Sequence, residues 1–264
     1  MKVKEITAVI EELAPLSIQA SYDNSGLIIG DVEREVSGAL IAVDLTEAVV
    51  EEAVRLGVEM VITHHPIIFS PLKRLTSANC VERSVAMAIK SDLVIYAAHT
   101  NLDSAEGGMS WRLGEVLGLR DMRVLEVTNA ALNAGFGVVG ELECEMGAWE
   151  YMSMVAERLK IKTLRHSDVV SDRVQRVAIC TGSGGSLIGE ACAAGADMYV
   201  TADLRYNDFF EAQQSVTTLD VGHYESEFCV IDIIFELLSK KITNFALHKS
   251  LCGANPVHHY LVRS

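Results

Sequence analysis

Two windows of the chain repeat one pattern, and this internal echo constrains the fold more than any other feature. Residues 52–63 read EAVRLGVEMVIT and residues 190–201 read EACAAGADMYVT, with Glu, Ala, Gly, Met and Thr coinciding at a constant offset. An apolar run precedes each window, so each copy reads as strand, helix, glycine turn and strand. Gly57 and Gly195 stand where a helix would end in a left-handed cap. We interpret the echo as the duplication of one α/β unit.

The rest of the chain also alternates between short apolar runs and helical patterns, which indicates an α/β architecture. The predicted strands are Leu27–Gly30, Ala39–Val43, Met60–Thr63, Leu93–Ala97, Gly137–Leu142, Val177–Cys180, Met198–Thr201 and Thr217–Val221. The predicted helices are Lys4–Leu13, Glu47–Leu56, Asn79–Lys90, Gly108–Leu117, Ala148–Lys160, Ser186–Ala194, Tyr206–Ser215 and Glu225–Lys240.

Charge and composition exclude several classes of protein. The 264 residues include 22 Lys and Arg against 36 Asp and Glu, for a net charge of −14. Such an acidic chain is a poor candidate for binding nucleic acid, and it attracts divalent cations. No apolar stretch reaches the roughly 18 residues of a membrane span, and the N-terminus reads as an amphipathic helix rather than a signal peptide. The six cysteines form no CxxC pair, so we expect reduced thiols packed in the core and a cytoplasmic location.

Histidines stand where three strands are expected to end, and ligand sites in α/β folds form at such places. His64 and His65 follow the run MVIT and precede Pro66, which restricts His65 to extended geometry. On a regular strand the two side chains would point to opposite faces, so we expect them to bind two ions rather than one. The alternative is one surface histidine and one that only makes a hydrogen bond within a loop.

Carboxylates accompany histidines in a second echo, His-x3-carboxylate, formed by His99 with Asp103 and by His223 with Glu227. Nitrogen and oxygen donors of this kind suit Zn, Fe, Mn, Co or Ni as divalent ions, and carboxylates can bridge two of them. Other interpretations stay open. Asp103 also fits a helix N-cap, and Glu227 could favour a helix dipole.

The roles of His99 and of the glycine-rich turn are ambiguous in the sequence. His99 could be a further metal ligand, a proton shuttle or supporting partner beside a metal-bound water, or a buried histidine whose hydrogen bonds are satisfied. The turn around residues 182–185 could cradle a phosphate, but it lacks the lysine of a P-loop, and a tight turn without a ligand is the simpler interpretation.

Four ordered motifs resemble the Nif-three-like family of dinuclear-metal, ring-forming proteins, often labelled GTP cyclohydrolase 1 type 2 homologues. They are SYDNSGLIIGD at 21–31, THHPIIFSPLKRL at 63–75, AHTNLDSAEGG at 98–108 and GHYESE at 222–227, and the terminal NPV at 255–257 also resembles the family's closing segment. The resemblance covers about residues 1–257. Glu225 departs from it, since relatives more often carry a small or neutral residue there.

This resemblance implies a fold, a metal site and an assembly. The fold would be two intertwined α/β halves related by internal duplication, with mixed sheets flanked by helices. We place a first domain at 1–125 with 222–264 and a second at 126–221. The resemblance further implies a toroidal homohexamer, a trimer of dimers, with its sites facing an internal cavity. Two divalent ions per chain would be held by His64, His65, Asp103, His223 and Glu227.

Two functions from different classes follow from these observations. The first is a metal-dependent hydrolase that acts on a nucleotide or a related small molecule, with His99 as a possible proton shuttle. The family label implies that it would be GTP cyclohydrolase 1 type 2-like. The alternative is a non-catalytic ring that stores or delivers metal or has a regulatory role. The sequence assigns no organic cofactor and no membrane partner.

Overall fold

The computed structural model describes residues 1–211, 215–253 and 255–260, except for the side chain of Glu211. Its helices are α1 (Val3–Leu13), α2 (Glu47–Leu56), α3 (Cys80–Lys90), α4 (Thr100–Ser104), α5 (Met109–Val116), α6 (Ala148–Arg158), α7 (Ile188–Ala193), α8 (Asp208–Glu211), α9 (His223–Glu227) and α10 (Val230–Lys241). Its strands are β1 (Gly26–Ile29), β2 (Gly38–Ala42), β3 (Met60–Thr63), β4 (Val94–Ala97), β5 (Leu119–Asn129), β6 (Ala134–Gly147), β7 (Arg165–His166), β8 (Arg173–Ser183), β9 (Met198–Ala202), β10 (Thr217–Asp220) and β11 (Ala246–Lys249).

These elements form two compact units, each with its own mixed sheet flanked by helices, which confirms the predicted fold class. Unit 1 combines Met1–Leu102 with Val230–Asn255, and unit 2 combines Asp103–Cys229 with the C-terminal residues from Pro256. Because a compact unit need not be a domain that folds independently, the domains predicted above at 1–125 with 222–264 and at 126–221 stay a prediction.

Unit 1 contains a five-stranded sheet in the order β1-β4-β3-β2-β11, in which only β1 is antiparallel to its neighbour. Strands β2, β3 and β4 are buried along their whole length, as expected for parallel strands covered on both faces. Thr63 pairs with Ala97 at the carboxyl ends of β3 and β4. The register therefore brings the residues that follow these two strands to one edge of the sheet.

Unit 2 contains a six-stranded sheet in the order β5-β6-β8-β9-β10-β7. Strands β8, β9 and β10 are parallel, and the others pair antiparallel. Its core packs around buried side chains that include Tyr151, Val177 and Met198. Asp220 ends β10 in register with Thr201 of β9, so the loops after β9 and β10 leave the sheet side by side.

The two echo windows form the same structure in both units. In unit 1, β2 and β3 are parallel and joined by α2; in unit 2, β8 and β9 are parallel and joined by α7. Gly57 and Gly195 both have φ of +69°, the left-handed conformation expected after the helices. The common arrangement supports duplication, while descent from a single copy stays a prediction.

Several elements differ from the sequence-based prediction. The predicted helix at Glu225–Lys240 is two helices, α9 and α10. In α9 the Ser226 hydroxyl donates to the His223 carbonyl, a local bond that competes with helix propagation. The predicted helix Tyr206–Ser215 begins at Asp208, and its residues 212–214 lie outside the described part. The long hairpin of β5 and β6 was predicted only at Gly137–Leu142, and β7 and β11 were not predicted.

The six cysteines are all free, but the expectation that they pack in the core is wrong for two of them, which are exposed. Cys180 is buried, whereas Cys80 and Cys144 are exposed because they stand at a helix start and on a strand of the hairpin. None of the helices in the described part of the chain combines the length and the apolar character that a membrane crossing requires.

Candidate metal centre

His64 and His65 lie in a bend directly after β3, because the strand ends at Thr63. The backbone amides of both histidines donate to one carbonyl, that of Val43, at 3.1 Å. Their rings lie 4.9 Å apart between centroids. The expectation that the two side chains point to opposite faces is therefore wrong, since it assumed a regular strand. The number of ions consequently rests on the resemblance alone.

Each of these two rings is oriented by an oxygen acceptor at Nδ1. His64 is fully buried, and its Nδ1 donates to the carbonyl of Ala98 at 2.7 Å. The Nδ1 of His65 donates to the carboxylate of Asp44 at 2.8 Å. A carbonyl or carboxylate accepts only, so Nδ1 carries the proton and Nε2 of the neutral ring carries the lone pair. Metal-binding histidines are oriented in this way.

His99 joins the same group from the end of β4. Its ring centroid lies 5.2 Å from that of His64 and 5.4 Å from that of His65. One candidate ligand atom from each of the three rings lies within 4.8 Å of the others. Nitrogens bound to one zinc ion lie at most about 4.2 Å apart, so small side-chain adjustments would allow this group to hold a metal.

Asp23 orients His99, a role that was not predicted for this carboxylate. Its Oδ1 accepts from Nδ1 of His99 at 2.7 Å, and its Oδ2 accepts from the hydroxyls of Thr100 and Ser25. Burial opposes ionisation of Asp23, but the hydrogen bonds from His99, Thr100 and Ser25 outweigh it and hold its pKa well below the usual range. Asp23 is thus a carboxylate anion that fixes the imidazole.

His223 and Glu227 form the corresponding pair in unit 2, one turn apart on α9. Nε2 of His223 lies 2.9 Å from Oε2 of Glu227, and Nδ1 lies 2.7 Å from Oδ2 of Asp203. Hydrogen bonding to Glu227, opposed by burial and aided by Asp203, raises the pKa of His223 to about 9. The two carboxylates therefore favour positive charge at this position, whether on the imidazole or on a bound cation.

The glycine-rich turn supports Glu227 closely. Gly182 has φ of +64°, and its amide donates to the Ser226 hydroxyl at 2.9 Å. A Cβ at Gly182 would lie 2.2 Å from Oε1 of Glu227. This part of the turn therefore packs against the carboxylate. The close packing explains why residue 182 is glycine without invoking a bound phosphate.

Asp103 lies inside α4, and its predicted alternative as a helix cap is wrong. The N-cap of the following helix, α5, is Gly108. The charge of Asp103 acts within unit 2: burial first, and then the negative charge of Asp103, raise the pKa of Cys180 to about 12.

The structure thus brings together His64, His65 and His99 in unit 1 and His223 with Glu227 in unit 2. Sequence reasoning missed the three carboxylates that orient the rings. Asp44 and Asp203 stand within two residues of the ends of β2 and β9, and Asp23 precedes β1. An acidic residue just after a buried parallel strand was the available signal for two of them.

Comparison with known proteins identifies the family. Residues 1–256 match the family model Duf34/NIF3 (NGG1p interacting factor 3). A protein of Clostridium perfringens named GTP cyclohydrolase 1 type 2 homolog is 33% identical over 243 residues, which cover 92% of this chain and 93% of that protein. A relative of the same name from Clostridium acetobutylicum is 33% identical over 251 residues, covering 94% of this chain and 92% of the relative.

A solved structure gives the same result. The crystal structure of a Bacillus cereus protein related to NIF3 superimposes with a TM-score of 0.90 at 25% sequence identity, covering 98% of this chain and 99% of that one. These matches confirm the resemblance that the four motifs indicated. With its own sequence matched from residue 1 to 256, the chain belongs to the Duf34/NIF3 family.

Proposed function

We propose that this protein is a metal-dependent hydrolase that acts on a nucleotide or a related phosphorylated small molecule. The observation that carries the proposal is the group of three imidazoles after β3 and β4, each oriented through Nδ1 by an oxygen acceptor. Histidines oriented through Nδ1 in this way are typical of metal ligands and of proton carriers that act beside a metal.

The donors fit divalent transition metals. His64, His65, Asp103, His223 and Glu227 are the proposed ligands of two ions, a set of nitrogen and oxygen atoms that suits Zn, Fe, Mn, Co or Ni. Both the number of ions and the inclusion of Asp103 follow from the resemblance. Such ions, when bound, polarise a susceptible centre and make water more acidic.

The chain's own residues supply orientation and proton transfer. His64 and His65 are held in the tautomer whose Nε2 can bind a cation. His99 is the proposed proton carrier: Nδ1 stays bonded to the Asp23 anion, and Nε2 takes up or releases the proton. The negative charge of Asp23 stabilises the imidazolium that forms, in the way a carboxylate supports a catalytic histidine.

The decisive experiment measures turnover and metal content on the same samples. Metal-loaded protein is assayed with GTP and a nucleotide panel, beside the His99→Ala variant. We expect metal-dependent hydrolysis by the wild type and a rate lower by about 10²–10⁴-fold in the variant, with metal retained. No metal-dependent turnover on any nucleotide would overturn the proposed activity.

A metal carrier without catalysis is the second candidate, and solvent access to the orienting carboxylates favours it. The Asp44 and Asp203 side chains are 48% and 50% exposed, so water can reach the far side of both imidazole contacts. A carrier would exchange its ions quickly. Slow loss of metal over prolonged dialysis against a chelator would count against this candidate.

The expected assembly is a homohexamer arranged as a trimer of dimers, on the strength of the family resemblance. Its mass would be six times the 28.7 kDa of one chain. Light scattering of the purified protein tests this, and a single peak at the monomer mass would contradict it. Nucleic acid is not an expected partner, because the net charge of −14 repels phosphate.

A further inference from the structure

An exposed pair of aromatic side chains adjoins the imidazole group of unit 1. Tyr22 is 68% exposed and Phe69 is 49% exposed, and their ring centroids lie 6.4 Å apart. The Phe69 ring meets the His99 ring in a T-shaped contact, with centroids 6.1 Å apart and planes at 83°. The three rings form a continuous surface that leads from solvent to the candidate metal ligands.

The aromatic pair is held by the same framework that orients His99. The side-chain amide of Asn24 donates to the carbonyl of Ile68 at 2.6 Å, which ties the turn after Tyr22 to the loop that carries Phe69. The backbone amide of Asn24 donates to Asp23, the carboxylate that also holds His99. A single anion therefore fixes the imidazole and the loop of its aromatic neighbours, and the surface is ordered before any ligand binds.

Continuity with the imidazole group limits what can cover this surface. Single exposed apolar residues are ordinary, but here two large rings are exposed side by side. Because the Phe69 ring packs against the His99 ring, a molecule that covers Phe69 also comes into contact range of the histidines. A substrate that carries a flat ring at one end meets both requirements, since its ring would rest on an aromatic face while its other end reaches the imidazoles.

We infer that Tyr22 and Phe69 form a stacking platform for the planar heteroaromatic ring of the substrate. The 58° between the two ring planes excludes a parallel sandwich, so the ligand ring stacks on one aromatic face and meets the other at its edge. The inference rests on the proposed function for the reacting end of the substrate. It favours nucleoside-like substrates over sugar phosphates, which carry no heteroaromatic ring.

The test measures binding without turnover. Guanosine, adenosine and riboflavin are titrated into metal-loaded protein by calorimetry, with saturation-transfer NMR of the ring protons, and ribose 5-phosphate serves as a probe without a heteroaromatic ring. The variants Tyr22→Leu and Phe69→Leu keep an apolar side chain but remove the π face. We expect each to bind the preferred ring compound about 5- to 150-fold more weakly, the range for loss of one stacking partner. Their affinity for ribose 5-phosphate should be unchanged.

The chain offers a matched control in Tyr206 and Phe210. These residues form another exposed Tyr–Phe pair, 77% and 50% exposed with centroids 5.1 Å apart, before and on α8 of unit 2. Tyr206→Leu and Phe210→Leu should leave binding of the ring compounds at the wild-type value. Metal content and thermal unfolding of all four variants separate lost stacking from lost structure.

Failure of this inference differs from failure of the proposed function. If wild-type protein binds none of the three ring compounds, or if Phe69→Leu and Tyr22→Leu bind them as tightly as wild type, the platform is wrong even where hydrolysis is observed. If ring binding depends on the two residues but no nucleotide is hydrolysed, the platform stands and the hydrolase proposal falls.

Discussion

The imidazoles of the two units are held in opposite ways. In unit 1, three histidines follow the ends of β3 and β4, and each donates from Nδ1 to an oxygen acceptor. In unit 2, His223 lies between Glu227 and Asp203, and each of its ring nitrogens faces a carboxylate oxygen. The contacts in unit 1 thus fix the tautomer and the orientation of the imidazole rings. The carboxylates in unit 2 instead place negative charge around the imidazole of His223. In metal sites generally, neutral imidazoles orient an ion and carboxylates neutralise its charge.

The largest expected effect comes from removing either of two carboxylates of unit 2. Under the proposed assignment, Glu227→Ala and Asp103→Ala remove charge that offsets the repulsion between two ions. That repulsion is roughly 16 kcal/mol for two divalent ions at about 4 Å and an effective dielectric of 20. We expect both ions to be lost, while His64→Ala loses mainly one, since water can fill its position. Elemental analysis after gel filtration measures this.

Equal metal loss in Glu227→Ala, Asp103→Ala and His64→Ala would contradict the comparison. It would show that the carboxylates of unit 2 matter no more for metal binding than a histidine of unit 1. Full occupancy in Asp103→Ala would show that Asp103 is not a ligand. The thermal unfolding of each variant serves as the control for folding, because Glu227 is buried with only 3% of its surface exposed.

Gly182→Ala should weaken metal binding although it substitutes none of the proposed ligands. The new Cβ would lie 2.2 Å from Oε1 of Glu227, so the carboxylate must move. We expect about 10²-fold weaker metal binding, comparable to the upper range for disturbing a ligand's support. Isothermal titration of the metal-free variant gives the value.

Gly57→Ala is the matched control in unit 1. Gly57 has φ of +69°, close to the +64° of Gly182, and a Cβ there would meet nothing within 4 Å. It should cost about 1 kcal/mol of unfolding free energy from backbone strain and leave metal affinity unchanged. If both variants bind metal equally well, close packing of the turn against Glu227 has no role in the site.

A smaller effect is expected from the carboxylates that orient the rings. Asp44→Asn and Asp203→Asn keep an acceptor but remove a charge, and loss of such support typically costs 10- to 100-fold in metal affinity. The loss of metal affinity should be at the lower end of that range for Asp44→Asn, because Asp44 only orients the ring of His65. It should be larger for Asp203, since its charge adds to that of Glu227. Competitive titration against a chelating dye resolves the two, and the reverse order would contradict the comparison.

The sequence predicted the parallel strands and the histidines at their ends well, because buried runs such as MVIT and residues like Pro66 act locally. The sequence-based prediction failed where contacts between distant residues determine the backbone conformation. The bend at His64 and His65 depends on the carbonyl of Val43, which no local pattern shows. The two repeated windows also differ in their environments. Glu52 is buried and accepts from the Ser250 hydroxyl at 2.6 Å, whereas its counterpart Glu190 is exposed.

The smallest effect distinguishes the thiols of the two units. Cys80 in unit 1 and Cys144 in unit 2 are exposed, so alkylation of the native protein at pH 8 should modify both. Cys180 should stay unmodified for two reasons: it is buried, and burial together with the charge of Asp103 raises its pKa to about 12, which leaves almost no thiolate. Mass spectrometry of tryptic peptides, with a urea-unfolded sample in which all cysteines react, reports each site. If Cys180 reacts as fast as Cys144 in the folded protein, then β8 opens readily near Gly182. The turn at Gly182 would then not hold Glu227 rigidly, and the contrast drawn between the two units would fail.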